Sequence, residues 1–310
     1  MNTSKRNFLK AMTAATCSFA NESIPTFQFA SPNGFNGTLC LFSKHLPSMN
    51  WQQLAQTVKK IGFSSVDLTV RPGGHVLPER TAEDLPKAVA AIQAEGLSVP
   101  MITTGLTSAN DPSAKPILST AGKLGIHFYK PGYYKYELKD VRLELEKFRH
   151  EFTALIELGK QNGIQCGFHN HESYLGAPLW DVASVIDRLD PKWAGYYFDV
   201  RHAVVEGGGA GWKIALNLIT PRLKMIAVKD FYWEKSAKGW RIANCPLGDG
   251  MVDWKQYFKL LRQANFHGPV SLHLEYEIPG ATASAKEENT IAAAQRDLEF
   301  LKRRIAEAYR

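Results

Sequence analysis

The sequence predicts a single (β/α)8 barrel. Three observations carry this. Eight short β-like runs alternate strictly with eight helical stretches, no low-complexity linker divides the chain, and polar side chains able to do chemistry recur at the ends of the later runs. Strict alternation implies parallel strands joined by right-handed crossovers, and eight such units are the barrel number. An open doubly wound sheet would normally carry a Gly-rich phosphate turn after an early strand. Gly73-Gly74 follows the second strand, but without the G-x-G-x-x-G pattern.

The elements follow in order. Residues 38–43 read as a strand, and 50–61 as a helix capped by Asn50 or Ser48. Strand 65–70 precedes helix 81–95, which Gly96 ends. Strand 97–103 precedes helix 113–123, and strand 126–130 precedes a long helix over 137–162. That helix places Val141, Leu145, Phe148, Phe152, Leu155 and Ile156 on one face, and Gly163 stops it. Then come strand 164–169, helix 181–189, strand 194–200, a short helix 212–219, strand 223–228, helix 254–264, strand 270–275 and a closing helix 286–308. The barrel domain is expected over 36–310.

Residues 1–30 are expected to lie outside it. Ser4-Lys5-Arg6-Asn7-Phe8-Leu9-Lys10 resembles a twin-arginine export motif with Lys in the first Arg position. A short, mildly apolar stretch and Ser18-Phe19-Ala20, a small-residue cleavage site, follow. The expectation is export to the periplasm, with the mature chain starting near Asn21; a disordered tail on a cytoplasmic protein is the alternative.

The 310 residues are 45% hydrophobic and 22% charged, enough to bury a large core. The net charge of +7 is spread without a basic run interleaved with aromatics, which argues for a solvated surface and against a nucleic-acid footprint. No apolar run approaches the ~18 residues that span a bilayer. Cys17, Cys40, Cys166 and Cys245 form no C-x-x-C pair, so buried thiols are expected. Homo-oligomerisation is left open.

Alternate residues of a strand share a side. With the apolar set facing the helices, the fifth strand points His169 and His171 to the axis, the sixth Asp199, the seventh Ala227 and Lys229, the eighth His273 and Glu275. Active sites of barrels lie at the C-terminal strand ends. Imidazoles and carboxylates converging there without cysteine suit a divalent Mn, Co, Zn or Fe ion.

Five segments together resemble the xylose-isomerase-like family of sugar isomerases and epimerases: Gly163-Ile-Gln-Cys-Gly-Phe-His169-Asn-His171-Glu172, Tyr197-Phe-Asp199-Val-Arg-His202, Val228-Lys229-Asp230 with Pro246-Leu-Gly-Asp-Gly-Met-Val-Asp253, Gly268-Pro-Val-Ser-Leu-His273-Leu-Glu275, and Val66-Asp-Leu-Thr-Val-Arg71-Pro-Gly-Gly-His75-Val. The resemblance spans nearly everything after residue 36, and its H-N-H form is similar to a branch acting on 3-keto-glycosides. It implies a metal held by Glu, Asp, His and Glu on strands five to eight. This chain has His169, Asp199, Ala227 and His273 there, with Glu275 able to complete a set of two His and two carboxylates.

Such a site would abstract a proton next to a sugar carbonyl, with a Lewis-acid ion and a positioned base. His171, Glu172 and Glu275 are the candidate acids and bases, and Lys229 a candidate to polarise oxygen. Arg71, His75, Trp180, His202 and Asp230 are candidates to bind an unphosphorylated sugar or glycoside, with Tyr232 and Trp233 as stacking faces. Three functions are open: a sugar isomerase or epimerase, a lyase or hydrolase that cleaves a 3-keto-glycoside by β-elimination, and a non-catalytic sugar-binding barrel. DNA-repair endonucleases of the same superfamily normally carry a fuller ligand set, which argues against that reading.

Overall fold

A computed structural model describes residues 34–310. The strands and helices alternate as β1 (Leu39–Phe42), α1 (Trp51–Ile61), β2 (Ser65–Val70), α2 (Thr81–Ala94), β3 (Ser98–Thr104), α3 (Ala114–Lys123), β4 (Phe128–Lys130), α4 (Val141–Gln161), β5 (Gln165–His169), α5 (Trp180–Ile186), β6 (Ala194–Asp199), α6 (Val200–Ile219) and β7 (Leu223–Val228). A hairpin, β8 (Asp230–Ser236) and β9 (Gly239–Cys245), then interrupts the rhythm before α7 (Trp254–Gln263), β10 (Val270–Leu272) and α8 (Ala283–Ala308). Eight parallel strands close in the order β1-β10-β7-β6-β5-β4-β3-β2, so the predicted barrel is the observed fold.

Local chemistry explains the element ends. Asn50 and Gln53 form a reciprocal capping box at the start of α1, and Gly62 ends that helix at φ 105°, a conformation a side chain resists. The helix buries Leu54, Ala55, Val58 and Ile61 at one-face spacing against the barrel. Each large one contributes about 1.5–3 kcal/mol of transfer free energy.

Two cores result. The larger lies between barrel and helices. The smaller fills the barrel itself with Met101, Tyr197, Met225 and Ala227, with Phe128 against it. Gly167 leaves room for this packing: a Cβ there would sit 2.1 Å from the terminal methyl of Met225, which would have to move.

The sequence reading needs three corrections. The helix expected at 212–219 begins at Val200, with Asp199 as its cap: the Asp199 side chain accepts from the His202 amide. Gly208, at φ 59°, kinks it, and the run of glycines around this point hid the first half. The hairpin went unrecognised. The last strand stops at Leu272 and leaves His273 and Glu275 on the loop beyond it. Cys40, Cys166 and Cys245 are buried free thiols, as expected; Cys17 and the export motif lie outside the described residues. No helix of the described residues is long and apolar enough to cross a membrane.

Candidate active site

A cavity of about 310 Å³ opens at the C-terminal end of the barrel, in the size range of small-molecule sites. His169, His171, Glu172, His202, Lys229, His273, Glu275 and Arg71 line it, as the sequence reading expected.

Strand ends and caps set these side chains. Asn170 locks β5 to β6, accepting from the Asp199 amide at 2.7 Å and donating to its carbonyl at 3.0 Å. Asp199 is fully buried. Its Oδ2 lies 3.0 Å from Lys229 Nζ and 3.2 Å from His169 Nε2. Burial alone would raise its pKa, but Lys229, His202 and His169 hold it well below the usual carboxylate range. Lys229 Nζ also lies 2.8 Å from His202 Nε2.

The imidazoles are held neutral. Burial drives His169 and His273 well below their ordinary pKa, lowers His171, and pushes His202 down to about 3. His171 Nδ1 lies 2.9 Å from the Glu172 carbonyl. Its proton therefore sits on Nδ1, and Nε2 keeps a lone pair. His273 Nε2 lies 3.0 Å from the Tyr197 hydroxyl, which in turn donates to Asp67 at 3.2 Å. His273 then carries its proton on Nε2 and keeps a lone pair on Nδ1. Asp67 also accepts from Thr103 and Ser271 at 2.8 Å each, and burial raises its carboxyl to about 6.

Both glutamates are committed to cations. Glu172 accepts from Arg201 at 2.6 Å and is held at about 2 by His202 and Arg201 against the opposing effect of burial. Lys44 bonds both oxygens of Glu275, at 2.8 and 2.9 Å.

The four candidate ligands do not assemble as a metal site. Among the described residues, no three His, Cys, Asp or Glu side chains are grouped to hold an ion. His169 Nε2 and Asp199 Oδ2 are near one another but off-axis, so neither is hydrogen-bonded. They would offer an ion two donors, one short of the three protein ligands of a catalytic site. His273 is turned to Tyr197 and Glu275 to Lys44. The Lys229 ammonium stands beside the same Asp199 oxygen that an ion would need. Ala227, in the position where the family has His, is packed into the barrel interior.

Three predicted binding residues lie elsewhere. Asp230 is buried and accepts from the Phe231, Gly248 and Val252 amides and from Trp254 Nε1, so it organises the loop after the hairpin. His75 clamps a turn, with ring contacts to Thr69 and the Leu46 carbonyl. Trp180 is 48% exposed at the start of α5 and does not line the cavity; Tyr232 and Trp233 do not line it either. The reading missed Lys44, Lys130, Tyr133, Tyr197, Arg201 and Asn244. Parity did place Tyr197 inside the barrel; the others lie at a strand end, on loops, in the first turn of α6 or on the unrecognised hairpin.

Residues 55–304 match the family model of the xylose isomerase-like TIM barrel. The chain belongs to that family. Solved structures share the fold at low identity. D-psicose 3-epimerase from Clostridium cellulolyticum H10, solved with D-tagatose, superposes with a TM-score of 0.65 at 12% identity, covering 86% of this chain and 99% of the other. An L-ribulose 3-epimerase gives 0.65 at 14% identity, covering 88% and 95%. A xylose isomerase-like TIM-barrel protein from Mycobacterium smegmatis, in complex with magnesium, gives 0.58 at 16%, covering 87% and 99%. No curated protein matches in sequence.

Proposed function

We propose that this barrel is a sugar isomerase or epimerase that moves a proton at the carbon next to a ketose carbonyl. The observation that carries the reading is a pair of imidazoles that line one cavity from the ends of two different strands. His171 follows β5 and His273 follows β10, with β6 and β7 between them. Each has one ring nitrogen committed to a partner and the other left as an acceptor.

One imidazole takes the proton. The C–H electron pair becomes the C=C bond of an enediolate, and the carbonyl π pair moves to oxygen. The Lys229 ammonium and the Arg71 guanidinium face that developing negative charge. An imidazolium formed where burial opposes charge returns its proton readily. Return from the same face gives exchange; delivery by the second imidazole to the other face gives the epimer. The epimerase names of the fold neighbours and the family's sugar chemistry support this reading.

The test is incubation of D-fructose, D-psicose, D-tagatose and L-ribulose in D2O. Deuterium should enter next to the carbonyl, at a rate that falls about 10²–10⁴-fold in His171→Asn or His273→Asn. Turnover without solvent hydrogen in the product would reject the reading. Aglycone release from a 3-keto-glycoside, which shares the first step, would mark the eliminating variant.

A further inference from the structure

Three of the five cationic side chains lining the cavity have carboxylate partners: Lys44 has Glu275, Arg201 has Glu172, and Lys229 has Asp199. Lys130 has none. Among the described residues no carboxylate oxygen lies within ion-pair range of its Nζ, and no hydrogen bond holds it. The residue is 3% exposed, at the very end of β4, with its side chain lining the cavity. Its carbonyl accepts from Thr104 Oγ1 at 2.8 Å, and its Nζ lies over the Tyr133 ring, 3.4 Å from the centroid.

A buried lysine without a counter-ion is costly as an ammonium and cheap as an amine. The Tyr133 face favours the charged form by about 0.5–2 kcal/mol, and the Asp67 carboxyl, beyond ion-pair range, favours it too. Burial opposes it, as do the charges of Arg71 and Lys229, and the balance leaves the amine well below the ordinary lysine range. A neutral amine in a cavity built for a carbonyl compound is a nucleophile.

We propose that Lys130 attacks the ketose carbonyl and carries the substrate as a Schiff base. The nitrogen lone pair forms the C–N bond while the carbonyl π pair moves to oxygen, giving a carbinolamine after proton transfer. Loss of that oxygen as water gives the protonated imine. Removal of the adjacent C–H proton by an imidazole then sends the electron pair into the C=C bond of an enamine, the iminium nitrogen replacing the carbonyl oxygen as the electron sink and the enamine replacing the enediolate. Reprotonation and hydrolysis return the amine and a ketose. No oxidant or reductant is consumed. This rests on the proposed carbonyl substrate, and it gives the anion a resting place inside a donor set too small for an ion.

The full chain is incubated with D-fructose or D-psicose and cyanoborohydride, then digested and mapped by mass. The expected result is a mass gain of one ketose less one oxygen atom, confined to the peptide holding Lys130 and missing from Lys130→Met. Lys130→Gln keeps a neutral side chain with hydrogen-bond donors but without the nucleophile, so it should lose at least 100-fold in deuterium exchange. Labelling spread evenly over exposed lysines, or full exchange by Lys130→Gln, overturns the proposal. Exchange without an adduct rejects the Schiff base and keeps the proton-transfer reading. An adduct without exchange does the reverse.

Discussion

His273 Nε2 and the Tyr197 hydroxyl are 3.0 Å apart inside the barrel mouth, and the contact decides which nitrogen of the histidine is free. Tyr197 passes the interaction on to Asp67. The ring thus enters the cavity with a fixed tautomer, an arrangement in which the third group orients the base.

Tyr197→Phe should therefore disturb catalysis through His273 while leaving substrate contacts in place. The expected signature is a fall in kcat with KM nearly unchanged, smaller than the loss in His273→Asn. Stability should drop by about 1–3 kcal/mol, because His273 and Asp67 each lose a buried partner. Steady-state kinetics with parallel denaturant titrations check this. A change confined to KM would place Tyr197 against the substrate instead.

Asp67 gives a pH signature. Its carboxyl is raised by burial from 3.8 to about 6 in the folded state. The folded protein then holds a proton that the unfolded chain has released, so this contribution is complete below about pH 3.8 and is lost as pH rises through 6. Two pKa units correspond to roughly 3 kcal/mol. The difference in unfolding free energy between wild type and Asp67→Asn should slope between pH 4 and 6 and flatten above. A difference flat throughout would mean that Asp67 titrates normally.

Lys229 and Asp199 form a buried pair, 6% and 0% exposed at their side chains. Lys229→Met leaves the carboxylate without its cation and should cost about 3–5 kcal/mol. Adding Asp199→Asn should recover much of that loss. The same pair predicts the response to ions. After chelation and dialysis, wild-type protein titrated with Mn, Co, Zn or Mg should show no stoichiometric binding and no rise in Tm. Tight binding would show that Lys229 gives way and that the histidines regroup around the ion.

Export is a separate proposal, because its motif lies outside the described residues. Replacing Lys5-Arg6 with Gln-Gln should hold the precursor inside the cell, with loss of the protein from the periplasmic fraction. Unchanged fractionation would assign residues 1–30 some other role.

Much of this molecule was legible in its sequence because barrel strands obey a period of two. Parity put His169, Tyr197, Asp199, Ala227 and His273 on the inner side without any knowledge of contacts. Parity says nothing about what a side chain touches once it arrives. His273 and Glu275 have the right residue types for a metal, yet hydroxyl and ammonium partners from distant strands claim them. Asp230 looked like a rim residue because it follows Lys229, but three donors from beyond the hairpin, the Gly248 and Val252 amides and Trp254 Nε1, turn it inward. Lys130 ends the strand expected at 126–130, but no motif at that strand end marked it as part of the site. The first half of α6 was obscured by the glycines at its kink, so Arg201 went unnoticed beside His202.

The hairpin of β8 and β9 pairs only with itself, outside the closed sheet. Even so, its Asn244 accepts from Arg201 at 2.8 Å, donates to the Glu275 carbonyl at 3.2 Å and lines the cavity. The hairpin is therefore a cassette attached to the site through one residue. Its hydrogen-bonded ladder is complete in itself, so its length and tip can be exchanged without re-registering a barrel strand. A library built on residues 234–241 would leave the barrel interior and the Asn244 contacts unchanged, so a shift in which sugars are turned over would show that the hairpin tip reaches the substrate.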